Sequence, residues 1–104
     1  MSPSQTKGQL EAKIAAAITQ FEREHLGRGP QEVRTWIIQD LILVRLKRVL
    51  TPAEEKLARD REGHRLIKEV RQQLIEGAMK QEGILAEVHL DVTKGDVLEF
   101  FRPA

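Results

Sequence analysis

Residues 32–47 read EVRTWII, QD, LILVRLK: two runs rich in β-branched residues and leucine, separated by two polar residues. With Gln39–Asp40 as the loop, the runs form a hairpin in which Ile37 faces Ile42, Thr35 faces Val44 and Val33 faces Leu46. One face is then wholly apolar or hydroxylic. The other pairs Trp36 with Leu43 and Arg34 with Arg45. A slip of one residue would move every side chain to the wrong face, so pattern and loop length constrain each other. Gln-Asp is not the favoured dipeptide of a type I′ turn, and a longer loop is the alternative.

A second hairpin is written into ILAEVHLDVTKGDVLEFF. Ile84, Ala86, Val88, Leu90 and Val92 alternate with Leu85, Glu87, His89 and Asp91, a period of two. A loop of Thr93-Lys94-Gly95 pairs Leu90 with Leu98 and Val88 with Phe100, keeping the core face apolar and Glu99 outside. It also gives Gly95 the left-handed position that such loops need.

Helical signals fill the rest. Leu10, Ile14, Ala17, Ile18 and Phe21 form one stripe from Gln9 onward, with Lys13, Gln20, Glu22 and Arg23 off it. Gly27 suits the residue after the helix, Gly29 a positive φ, and Pro30 an extended lead into the strand. Thr51-Pro52-Ala53-Glu54 reads as a capping box with proline at the first helical position. After a weak point at Asp60 to Gly63, a longer helix carries Leu66, Ile67, Val70, Leu74, Ala78 and Met79 on one stripe, and Lys68, Glu69, Arg71, Gln72 and Glu76 on its polar face. Gly83 closes it.

The predicted fold is therefore α+β, with the order α-β-β-α-α-β-β. It has two layers, a mostly antiparallel four-stranded sheet made of two hairpins and helices packed on one face. Residues 1–8 are read as a flexible leader and 9–102 as a single domain.

Composition narrows the function. The 104 residues contain 17 Lys+Arg against 16 Asp+Glu, a net charge of +1, and aromatics make up 4%. Proteins that live on phosphate contacts are normally more basic, and single-strand binders carry more stacking rings. Cysteine is absent, which removes thiol chemistry and suits a reducing compartment. No apolar run approaches the ~20 residues that cross a bilayer, and MSPSQTKGQ has no signal-peptide core. The expected location is cytoplasmic, reaching a membrane only through a partner.

No catalytic constellation is evident, no cofactor is implied and no metal site is expected. The serines lie at positions 2 and 4, Thr51 is a cap, and His25, His64 and His89 fall on separate elements. His89 and Asp91 share a strand face but make only half a metal site. The candidate binding residues are Arg34, Trp36 and Arg45 on the outer face of the first hairpin, with Arg28, His89 and Asp91. Arginine beside tryptophan can hold anionic or aromatic groups. Arg34 opposite Arg45 requires acidic company, which Glu87, Asp91 and Glu99 of the tail hairpin can supply. Ile38 and Leu41 add apolar surface that suggests a covered face, as in a dimer. Arg28 has no backbone role and is expected to meet an acidic neighbour.

One string is more specific than any of these features. Leu26-Gly27-Arg28-Gly29-Pro30, Glu32-Val33-Arg34, Asp40, Val44-Arg45-Leu46 and Leu50-Thr51-Pro52-Ala53-Glu54 occur in this order, followed by His89, Asp91 and Gly95 in the tail. This resembles the MpsC family, named for a component of a sodium-translocating, membrane-potential-generating system, over about residues 9–100. The chain departs from the family at Arg48, where glycine is common, and has a shorter segment between the long helix and the last hairpin. The resemblance implies a role in membrane energetics. The resulting expectation is a small, soluble, non-enzymatic accessory domain that contacts itself as a homodimer and an unidentified protein. An anion- or small-ligand-sensing domain is the alternative, and a weak nucleic-acid binder the third reading.

Overall fold

The computed structural model describes residues 6–104. Helix α1 (Lys7–Leu26) leads into strands β1 (Glu32–Ile38) and β2 (Leu41–Lys47). Two helices follow, α2 (Pro52–Leu57) and α3 (Arg61–Met79), then β3 (Ile84–Asp91) and β4 (Asp96–Pro103). The strands form one antiparallel sheet in the order β1-β2-β4-β3. Helices α1 and α3 pack on one face of it, over β1 and β3 respectively. The element order and layering are those expected.

Local chemistry sets the boundaries. α1 starts at Lys7, two residues before the expected Gln9, because Thr6 and Gln9 form a reciprocal capping box. The expected leader therefore gives way to helix at Lys7, and its residues 1–5 lie outside the described residues. Gly27 ends α1 at φ 74°, as expected. Gly29 does not take a positive φ; its bare Cα instead lies against the side chain of Arg23. Thr51 and Glu54 form the second capping box. Asp60, read from sequence as a weak point, is the cap of α3 and accepts from the Gly63 amide at 2.9 Å. A short 3-10 turn, Lys80–Glu82, precedes Gly83.

The first hairpin has the predicted two-residue loop and every predicted pair, with Gln39 adopting φ 55° to close the turn. The second differs. Its loop is four residues, Val92 to Gly95, and it pairs Leu90 with Val97, Val88 with Glu99 and His89 with Leu98. The one-residue shift turns Leu98 and Phe100 outward and Glu99 inward. Asp96, placed opposite Asp91, then accepts hydrogen bonds from Arg45 at 2.7 Å and from the Arg48 amide at 2.9 Å. The Leu50 amide bonds to the Gly95 carbonyl. These tertiary bonds favour the longer loop over the tighter one.

The core between sheet and helices holds Ile18, Val44, Leu46, Val49, Leu50, Ile75, Ala86, Val88, Val97 and Phe101. Two helical faces differ from the sequence reading. Glu22 is buried, whereas Leu10 and Ala17 are exposed. In α3, Arg71 and Ile75 are buried while Leu66 and Val70 are 49% and 55% exposed, so the helix is rotated away from its apolar stripe. The reason is polar. Arg71 pairs with Glu22 of α1 at 2.9 Å, and Gln72 bonds to backbone groups of β3.

Candidate functional site

The face of the sheet opposite the helices is not covered by any described element. Strand alternation places Trp36, Leu43 and Phe100 in one row across β1, β2 and β4, with Glu87 completing it on β3. The neighbouring row is Arg34, Arg45, Leu98 and His89. Ile38 and Leu41 extend the apolar patch along the first hairpin, and Leu85 extends it along β3. Trp36 is 40% exposed and Ile38 52%, high values for large apolar side chains.

Charges are arranged around this patch in pairs. Arg45 reaches Asp96 at 2.7 Å and Asp91 at 3.5 Å, which resolves the repulsion expected from its cross-strand neighbour Arg34. Arg34 itself bonds to Glu32 at 2.8 Å, and Lys47 approaches the same carboxylate at 3.5 Å. The Arg34 hydrogen bond, aided by Lys47, holds the Glu32 carboxyl below its ordinary range. His89 meets Phe100 edge to face at 5.3 Å and sits 3.7 Å from Glu87.

An open groove of about 1040 Å³ runs along one end of this face, between Arg34, Trp36, Arg45 and Lys47 on one side and Arg48 and Lys94 on the other. Of the residues predicted from sequence, the structure brings Arg34, Trp36 and Arg45 together here. Asp91 joins them through its ion pair with Arg45, and His89 occupies the far strand of the same face. Arg28 lies apart. It is exposed and makes no ion pair among the described residues, contrary to the expected acidic neighbour. Glu99 does not serve Arg34 or Arg45, because it points to the other side of the sheet. Among the described residues no cluster of three or more His, Asp or Glu side chains could hold a metal ion.

Behind the sheet lies a polar cluster that sequence reasoning missed. Glu99 is 1% exposed, in the inward row Thr35, Val44, Glu99, Val88. Burial pushes its carboxyl up to about 7; the charge of Glu22 raises it further and that of Arg71 opposes the rise. Thr35 Oγ1, Arg71 Nε and Glu99 Oε1 have no hydrogen-bond partner among the described residues. A charged residue in an amphipathic pattern normally reads as surface, so only the tertiary pairing of residues 22 and 71 could reveal this cluster.

Residues 6–102 match the profile of the family described as Na+-translocating membrane potential-generating system (MpsC). The chain belongs to the MpsC family. Among its relatives, the Bacillus subtilis (strain 168) protein named "Uncharacterized protein YbcI" is 41% identical over 95 residues, which span 91% of this chain and 74% of that protein. No solved structure matches the chain. This MpsC-family domain also shows why glycine suits the position of Arg48: the residue has φ 51°, in the left-handed region where side chains are strained. Among the described residues no helix is long and apolar enough to cross a membrane.

Proposed function

We propose that this chain is a non-enzymatic interaction domain whose working surface is the outer face of the sheet. It serves a membrane-potential-generating system of the kind its family is named for, from the cytoplasmic side, without entering the bilayer itself. The observation that carries this reading is the uncovered row Trp36–Leu43–Phe100, an apolar centre set among ion-paired charges. That composition, aromatic and aliphatic inside with arginine and carboxylate around it, is that of a protein–protein contact. Sheet faces in two-layer domains are otherwise solvated by polar residues.

The test is a single aspartate at Leu43, outside the core. Leu43→Asp should keep the wild-type circular dichroism spectrum while losing the protein that wild type retains in affinity capture from its own cells. Capture of the same protein by the variant overturns the proposal.

A second reading is favoured by one feature, the groove in which Arg34, Arg45, Lys47, Arg48 and Lys94 converge near Trp36. In that reading the groove senses an anion. Inorganic phosphate or a nucleotide should then quench Trp36, the chain's single tryptophan, in a saturable way that Arg34→Ala abolishes; a flat titration removes it. A nucleic-acid role is disfavoured by the net charge of +1.

A further inference from the structure

A strand at the edge of a sheet turns half of its backbone groups away from its neighbour, where another chain can pair with them. β3 is such a strand. Yet Ala86 and Val88 in its middle are only 7% and 0% exposed. One side chain closes the edge. Gln72 of α3 accepts from the Val88 amide at 2.8 Å and donates to the Ala86 carbonyl at 2.7 Å. Its NH2 group also donates to Glu76, one turn further along the helix. Both donors of the carboxamide are thereby engaged, and flipping it would set donor against donor at Val88. An acceptor for one residue and a donor for the residue two before it are what an added strand would present. Gln72 takes the place of that strand.

The edge is complementary to itself. An open cleft of about 790 Å³ runs beside residues 85–89, with Lys68, Gln72 and Glu76 along its helical side. Because the Ala86 carbonyl and the Val88 amide point outward, alternation turns the backbone groups of residues 84, 86, 88 and 90 the same way. Two copies of β3 pair antiparallel only with these residues opposite one another. Near the middle of the strand, the twofold axis then passes through residue 86, 87 or 88. At 87, Glu87 of each copy faces Glu87 of the other, which is unfavourable. At 86, Glu87 faces Leu85. At 88, Glu87 faces the imidazole of His89 twice, Val88 faces Val88, and Ala86 faces Leu90. This last register matches polar with polar on the outer side and apolar with apolar on the inner. Its central bonds use the Val88 amide and the Ala86 carbonyl, the two groups that Gln72 holds.

We propose that Gln72 is a latch on β3: its carboxamide occupies the backbone groups through which this strand would otherwise pair, antiparallel and centred on Val88, with β3 of a second copy. The latch acts at the edge of the sheet and stands whether or not the outer face binds a partner.

Amide exchange and particle mass test it together. At low concentration, Gln72→Ala should speed exchange of the Val88 amide by roughly fivefold or more, as expected for the loss of one hydrogen bond, while keeping the wild-type circular dichroism spectrum. As its concentration rises, the same variant should approach twice the chain mass of 11.9 kDa in light scattering, and protection of Val88 should return in step. Exchange at Val88 in the wild type should not depend on concentration. Adding His89→Glu, which sets Glu87 against a second carboxylate across the axis, should leave exchange fast and prevent the association. If Gln72→Ala does not fold, Gln72→Met fills the same space without either bond and is read in the same way. Exchange at the wild-type rate in the variant overturns Gln72 as the latch. Fast exchange with no rise in mass, or a rise in mass with no return of Val88 protection, overturns the second copy as the strand kept out. Association that survives His89→Glu overturns the centring on Val88.

Discussion

Replacing Glu99 with glutamine isolates a titration buried in the core. In the folded protein the Glu99 carboxyl titrates near 7 against an ordinary value of 4.5, so the folded state holds its proton more tightly than the unfolded state. The sign follows from that difference. Below about pH 4.5 the group is protonated in both states and costs nothing. As pH rises, the unfolded chain releases the proton first, and folding loses about 1.4 kcal/mol per pH unit until the folded carboxyl ionises as well. Above pH 7 the loss levels off at on the order of 3 kcal/mol, a sizeable part of the roughly 5–15 kcal/mol that stabilises an ordinary domain. Glutamine keeps the shape and cannot ionise. Urea unfolding of wild type and Glu99→Gln, followed by circular dichroism at fixed protein concentration, should therefore give stabilities that diverge by roughly 2.5 kcal/mol between pH 5 and pH 8, with wild type falling. Most of the divergence should come below pH 7. Curves that run parallel over this range would show that Glu99 is not the buried, neutral-leaning group its surroundings make it.

Other substitutions probe the frame around it. Arg71→Leu strands the Glu22 carboxylate in the core, and should cost about 3–5 kcal/mol in urea unfolding, most of it recovered when Glu22→Leu is added. Arg48→Gly should relieve the φ 51° backbone and keep the amide bond to Asp96, raising stability by about 0.5–1 kcal/mol; a loss would show that the Arg48 side chain carries weight of its own. Gly63→Ala should destabilise, although the same change in an exposed helix gains about 1 kcal/mol, because a Cβ there would strike the Leu57 carbonyl. A thermal melt decides the sign.

The contrast between the two hairpins explains how far the sequence could be read. In the first, a two-residue loop and uninterrupted alternation allow one register, and Val33 to Leu46 carry that information locally. In the second, the register turns on Glu99, and local reasoning places a carboxylate outside. What brings it into the core is the register set by the bonds of Asp96 and Gly95, and there it lies near an arginine and a glutamate from two helices, at positions 71 and 22, both of which look like surface residues. The same pair rotates α3, so that Leu66 and Val70 are exposed where an amphipathic pattern predicts burial. The outer face was partly legible: Arg34, Trp36 and Arg45 do converge, because they share the register of the first hairpin. Arg45's partner Asp96 was not legible, since it follows from the four-residue loop of the second.

The strand order has a consequence for how the molecule is made. β4 is the last of the four strands to be synthesised, yet it lies between β2 and β3, so that without it β3 has no strand partner and β2 has only β1. Until it arrives, the nascent chain can close only the hairpin of β1 and β2, with half of the core still open to solvent. The domain should then fold as one late cooperative event, dominated by contacts between distant parts of the chain and correspondingly slow for its size. A ribosome-bound intermediate would show the first hairpin alone as protected from proteolysis.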